Sequence, residues 1–250
     1  MSQVNRIWLL LGQSFIDGVS GDLPSVQAGY NGLTINNRVL TNTGFECMNQ
    51  ATNNNQYPNR NNGFSIEFYM KDIADFLGRD IYIVKNAIGG TPLGLDGSNI
   101  DWNTASIGEL YDTTLTAISN AITWMNDRGK TARFEGVIWW QGEQDSKILS
   151  FANAYETNSI NFFDGLKTAT ANPNLKFYQY NITANEAGGF RPYTNEVNAA
   201  KQNFTAIDAT DRKIFTPVIS SWNADGIHPS PTGFLDLWND YQKDLIIADL

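Results

Sequence analysis

Arg6-Ile7-Trp8-Leu9-Leu10-Leu11-Gly12-Gln13-Ser14 is the stretch on which the fold turns. Its apolar residues run without alternation, as they do in a strand buried on both faces of a parallel sheet. The run stops abruptly at Gly-Gln-Ser. A hydroxyl is thereby delivered just past the carboxyl end of a strand, where open α/β sheets bind their ligands. Alone this signal is weak, because a serine after a strand is more commonly a turn former or a helix N-cap.

Working outward, short runs rich in Ile, Val, Phe, Tyr or Trp at 80–86, 134–141, 175–182 and 213–220 read as further buried strands beside the one at 6–12. Between and after them, apolar residues recur three and four apart at 65–77, 107–128, 150–169, 193–206 and 231–247. Ile118, Ile122 and Met125 mark one such helix, and Phe234, Leu237 and Tyr241 mark the last. The alternation predicts right-handed βαβ units. The expected fold class is therefore α/β, a three-layer αβα sandwich around a central, mainly parallel, five-stranded sheet, with residues 1–250 forming one domain. Residues 17–62 break the pattern, being rich in Asn, Gly and Thr. Val39-Leu40 and Phe45-Glu46-Cys47-Met48 suggest short strands or a hairpin inside a lid or wall beside Ser14, while the Asn/Gln cluster at 53–62 reads as a solvated loop.

Composition narrows the function. Lys+Arg 17 against Asp+Glu 26 gives a net charge of −9, and the basic residues form no stripe, so a nucleic-acid partner is not expected. The same field suits neutral substrates better than strongly anionic ones. Cys47 is the only cysteine, which excludes an intrachain disulfide, and one His with one Cys argues against a zinc site. Asp96-Gly-Ser-Asn-Ile-Asp101 looks superficially like a calcium loop but lacks the glutamate at the twelfth position. Neither a metal nor another cofactor is expected. No apolar run approaches the about 20 residues of a bilayer span, and no signal-peptide architecture precedes the first strand. No membrane insertion is expected, and cytoplasmic, virion-associated and leader-trimmed secreted settings all stay open, as does the oligomeric state.

The single histidine constrains the chemistry further. His228 lies in Asp225-Gly226-Ile227-His228-Pro229, and any imidazole-based mechanism must run through it. Imidazole is the natural general base for a serine hydroxyl near neutral pH, and Asp225 is near enough in the loop to hold it. Two strand ends add polar groups. The strand at 80–86 leads into Asn86-Ala87-Ile88-Gly89-Gly90-Thr91-Pro92, whose paired glycines leave backbone N–H groups open to a ligand or simply make a tight turn. The strand at 134–141 ends in Trp139-Trp140-Gln141-Gly142-Glu143-Gln144-Asp145, placing an amide and carboxylates at its tip.

Gly12-Gln13-Ser14, Ala87-Ile88-Gly89-Gly90-Thr91, Trp140-Gln141-Gly142-Glu143-x-Asp145 and Asp225-x-x-His228-Pro229 together resemble, in order, the motif blocks of SGNH hydrolases. Within that superfamily the match is to the sialate O-acetylesterase and acetylxylan esterase branch. The resemblance implies a flavodoxin-like sheet and a serine esterase that removes O-acetyl groups from an oligo- or polysaccharide through an acyl-enzyme. It implies Ser14 as nucleophile, His228 as base and Asp225 as its orienting carboxylate. The oxyanion hole would comprise the Ser14 N–H, an N–H of Gly89 or Gly90, and the amide of Gln141. Gln13 would support the site. Glu143 either braces it or contacts sugar, the brace being preferred, and Trp102 and Tyr30 are candidate sugar platforms, packing in the core or at the rim being the preferred role for a single Trp. One departure stands out: the branch usually continues Gly-Gln-Ser with Asn, whereas this chain has Phe15.

Two other classes fit the same residues. One is an SGNH lipase or lysophospholipase, against which the lack of an amphipathic membrane-binding helix speaks. The other is a non-catalytic carbohydrate-binding or structural protein, such as a virion component, on the same scaffold.

Overall fold

The computed structural model describes residues 4–18, 37–41, 44–47, 66–183, 191–230, 232–233, 236 and 242–250. Its strands are β1 (Val4–Gly12), β2 (Asn37–Thr41), β3 (Gly44–Cys47), β4 (Ile81–Ala87), β5 (Thr131–Trp140), β6 (Lys176–Tyr180) and β7 (Arg212–Phe215). They form one sheet in the order β3-β2-β4-β1-β5-β6-β7. Every neighbouring pair is parallel except β2 with β3, which close one edge as an antiparallel pair. The five strands expected from the sequence take the order second, first, third, fourth, fifth, which is the flavodoxin-like arrangement.

Side-chain alternation along β1 assigns its two faces. Ile7, Leu9 and Leu11 point into a core with α3 (Leu110–Asn126), α4 (Leu149–Ala169) and α5 (Thr194–Ile207). Trp8 and Leu10 point into the opposite core, with α1 (Ser14–Asp17), α2 (Glu67–Leu77) and α6 (Gln242–Ala248). Each long helix turns a periodic stripe inward; in α3 it is Leu110, Thr114, Ala117, Ile118, Ala121 and Met125.

Some expectations change in detail. β7 ends at Phe215, short of residue 220. Pro217 lacks the N–H that a continuing ladder needs. The edge strands β2 and β3 enlarge the sheet and arise from the segment expected to hold short strands. The rest of the expected lid at 17–62, including Tyr30, lies outside the described residues, as do Phe234, Leu237 and Tyr241 of the last helix. No helix among the described residues is long and apolar enough to cross a membrane.

β1 ends level with both neighbours, Gly12 standing opposite Ala87 and Trp140. Beyond the ladder, Gln13 N–H donates to the Trp140 carbonyl at 3.0 Å, and Ile88 N–H donates to the Gly12 carbonyl at 3.2 Å. Gly12 has φ +148, and a Cβ there would lie 2.2 Å from Trp140 O. Only glycine meets both conditions. Gly12→Ala is expected to cost about 2–5 kcal/mol through backbone strain and overpacking together. A urea denaturation midpoint unchanged from wild type, at equal m-value, would refute this reading of the β1 terminus.

Candidate active site

Ser14 opens α1 immediately beyond β1, 8 % exposed. Lys85, buried in β4, donates to the Asp17 carbonyl at 3.4 Å and ties the end of this short helix to the sheet. On the other side the Gly89 backbone comes so close that a Cβ there would sit 3.3 Å from Ser14 Cβ. Ser14, Gln13, Gly89, Gly90, Glu143, Gln144, Lys147, Arg191, Ile227 and His228 line one pocket of about 270 Å³ at the carboxyl ends of the central strands. The two ends of the chain thus meet as the motifs require. A larger cavity of about 380 Å³, near the amino ends of β5 and β6, is lined by Trp8, Arg133, Glu135, Lys176 and Tyr178 among others, and neither Ser14 nor His228 reaches it.

Asp225 organises the histidine loop. One carboxylate oxygen accepts the N–H groups of Ile227 and His228 at 2.9 and 3.0 Å. The other lies 2.7 Å from His228 Nδ1. With Nδ1 directed to Asp225, Nε2 is the ring nitrogen left for the pocket. Burial pushes the Asp225 carboxyl up, but the hydrogen bonds from His228 and Ile227 outweigh it and bring it down to about 2. Asp225 is therefore ionised throughout the neutral range.

Glu143 sits 5 % exposed and accepts from the side-chain amide of Gln13 and, at 3.1 Å, from Trp140 Nε1. Both carboxylate oxygens are engaged by protein donors. Phe15, 2 % exposed, stacks on Trp140 at 4.5 Å, Trp140 stacks on Tyr180 at 4.3 Å, and the Phe15 ring centroid is 6.0 Å from that of His228. The ring that replaces the usual asparagine is a buried packing element and is not among the residues lining the pocket.

Two candidate site residues are placed in the interior. The Gln141 amide was expected in the oxyanion hole, but Gln141 is fully buried and its Nε2 donates to the Thr91 carbonyl at 3.0 Å and to Asp145. Its Oε1 accepts from Tyr155 OH at 2.9 Å. Both amide hydrogens have acceptors, and a flipped amide would set its oxygen against Thr91 O and the Asp145 carboxylate. Gln141 therefore braces the β4–β5 loops and offers no donor to Ser14. Trp102, a candidate sugar platform for which packing was the favoured role, is fully buried, packs edge-on against Trp139 at 5.2 Å, and donates from Nε1 to Thr91 Oγ1 at 3.0 Å. It pins the loop after Gly89-Gly90 from inside the core.

Asp145 closes this bracing. It accepts the N–H groups of Leu93 and Gly94 at 3.0 and 2.8 Å. Burial raises its carboxyl to about 6, against the lowering by Gln141, those N–H groups and Lys201. Lys201 was not anticipated. It falls on the inward stripe of α5 with Val197, Ala200 and Phe204, and a lysine at the apolar period was the available signal.

A model of the family described as carbohydrate esterase, sialic acid-specific acetylesterase matches residues 4–228. The chain belongs to this family. The esterase accordingly removes O-acetyl groups from carbohydrate, in the branch that the motif blocks resemble. No curated protein matches the chain. Among solved structures, a protein from Arabidopsis thaliana superposes with a TM-score of 0.72 at 16% identity, over 98% of each chain. A carbohydrate acetylesterase from Xanthomonas citri does so with a TM-score of 0.60 at 18% identity, over 92% of this chain but 53% of that one. Another from Sinorhizobium meliloti gives 0.55 at 13% identity, over 98% and 100%. At these identities the superpositions speak for the fold.

Trp102→Phe keeps most of the packing and removes the indole N–H, so the esterase is expected to lose about 1–2 kcal/mol of stability while KM for an acetylated sugar stays within twofold. Raised KM at unchanged stability would restore Trp102 as a substrate contact.

Proposed function

We propose that the esterase works through an acyl-enzyme on Ser14, with His228 as general base and Asp225 as the carboxylate that fixes the imidazole. The observation carrying this reading is the junction of Ser14 and His228 at one pocket while Asp225 occupies Nδ1. Ser14 Oγ attacks the acetyl carbonyl as Nε2 takes its proton, and the same nitrogen returns the proton to the leaving sugar hydroxyl. Water then repeats the sequence and releases acetate. The developing oxyanion is held by backbone N–H groups of Ser14 and of Gly89, whose Cα lies against the nucleophile, in preference to the more exposed Gly90.

The lining favours an acetyl ester over a long acyl chain. Ile227 is the one large aliphatic side chain among the described lining residues, beside polar and charged ones suited to a sugar. Lys147 and Arg191 bring positive charge to the same pocket. In a chain of net charge −9 this local reversal favours a sugar bearing a carboxylate, in place of the neutral substrate that overall charge suggests. Acetate release compared between an O-acetylated sialoside and acetylated xylan tests this, the acidic sugar being expected to give the higher kcat/KM and to lose more of it at raised salt.

Ser14→Ala is expected to lower aryl-acetate hydrolysis by about 10,000-fold or more, and wild-type rates should fall steeply as the acyl chain lengthens. Residual activity near wild type would remove Ser14 as nucleophile. The pH dependence follows from the base. Only neutral imidazole accepts the serine proton, so kcat/KM is lost in acid, where the imidazole is protonated. Asp225, ionised down to about 2, contributes nothing to that loss. A kcat/KM that shows no fall in acid contradicts the assignment.

A further inference from the structure

Lys201 has no part in the steps above, yet it is fully buried directly behind the site. Its ammonium donates to the Gln141 carbonyl at 2.6 Å and to the Tyr180 carbonyl at 2.7 Å. It also lies 5.5 Å from the centroid of the Tyr155 ring. Between Gln141 and Glu143 the chain packs so tightly on α5 that a Cβ on Gly142 would stand 3.1 Å from Lys201 Nζ. A buried ammonium held by two neutral carbonyls is costly unless nearby negative charge offsets its desolvation. Glu143 and Asp145, both buried, supply that charge.

These two carboxylates reach opposite sides of the pocket. Glu143 holds the Gln13 side chain beside the nucleophile. Asp145 holds Leu93 and Gly94 in the loop that follows Gly89-Gly90. One short turn at the tip of β5 therefore sets the spacing between Ser14 and its backbone N–H partners, and Lys201 seats that turn from below. We propose that Lys201 is a positioning residue of the esterase: its ammonium, clamped between the carbonyls of Gln141 and Tyr180, holds the 141–145 turn so that Glu143 and Asp145 keep the Ser14 and Gly89 loops in register.

Protonation is part of the device. Burial draws the Lys201 ammonium down to about 8, against the raising by Glu143 and Asp145. The titratable groups facing it are those two carboxylates from the turn and Tyr155 from α4, while β6 presents the Tyr180 carbonyl. Tyr155 is held protonated, since burial and the neighbouring Asp145 push its hydroxyl well above the usual range. Loss of the Lys201 charge leaves the two carboxylates uncompensated and loosens the turn, so turnover falls as pH passes upward through the lysine titration.

The inference rests on Ser14 as nucleophile, and the experiment separates the two. Wild type, Lys201→Met, Lys201→Arg and Ser14→Ala are assayed on an aryl acetate from pH 5 to 10, with competent sites counted by a serine-directed phosphonate. Lys201→Met is expected to lower kcat per titrated site between about tenfold and 100-fold with KM within twofold, and to lack the wild-type fall above about pH 8. Lys201→Arg, which keeps its charge, is expected to move that fall to higher pH. A merely structural lysine would reduce the number of competent sites and leave kcat per site unchanged, and that result overturns the proposal. Where the variants do not fold, a wild-type kcat that holds level to pH 10 overturns it as well. An active Ser14→Ala defeats the nucleophile assignment and this inference together, whereas an inactive Ser14→Ala with a fully active Lys201→Met defeats only the inference.

Discussion

The contact between the Trp140 carbonyl and Gly12 is the constraint on which the site depends. It draws the tip of β1 against that of β5 closely enough to exclude any side chain at residue 12. The bonds from Gln13 N–H to Trp140 and from Ile88 N–H to Gly12 then level three strand ends. Once they are level, the residues following each strand share one surface: Ser14 after β1, Gly89 and Gly90 after β4, and the Gln141–Asp145 turn after β5. A parallel sheet produces this convergence because every strand points the same way, and the change in strand order around β1 leaves room for a pocket there.

Beneath the pocket lies a polar layer inside an otherwise aromatic core. Gln141, Glu143, Asp145, Tyr155, Thr91, Trp102 and Lys201 engage one another or nearby backbone groups, and each is at most 5 % exposed. Such a layer is costly when incomplete and rigid when satisfied. Its members are drawn from the β4–β5 loops, α4 and α5, so it links the loops of the site more firmly than surface contacts could. The pocket residues above it owe their placement to that layer for Ser14 and to Asp225 for His228.

Much of this was readable from the chain. The uninterrupted apolar run at Ile7–Leu11 identified a doubly covered strand, and helix periodicity located the inward stripe of α3. The Asp225–His228 pairing was equally legible, because the single histidine stands three residues after Asp225. The roles that spacing left open share one cause. Gln141 and Trp102 were judged by residue type and nearness to a strand end, and both types serve as ligands or as braces. Which role prevails depends on whether a competing partner lies within reach. Thr91, Asp145 and Tyr155 satisfy the Gln141 amide before any substrate arrives, and Thr91 likewise takes the Trp102 indole N–H.

By itself, the sequence determined the layer order, the central strand, the serine at its tip and the histidine loop, since these follow from local periodicity and from motifs whose members lie within a few residues of one another. Tertiary structure alone decided that β2 and β3 join the sheet edge, that Gln141 turns inward, that Phe15 stacks beneath the pocket on Trp140, and that Lys201 reaches the carbonyls of Gln141 and Tyr180. Those outcomes depend on hydrogen-bond and packing competition between residues far apart in the chain, a contest that periodicity and spacing do not encode.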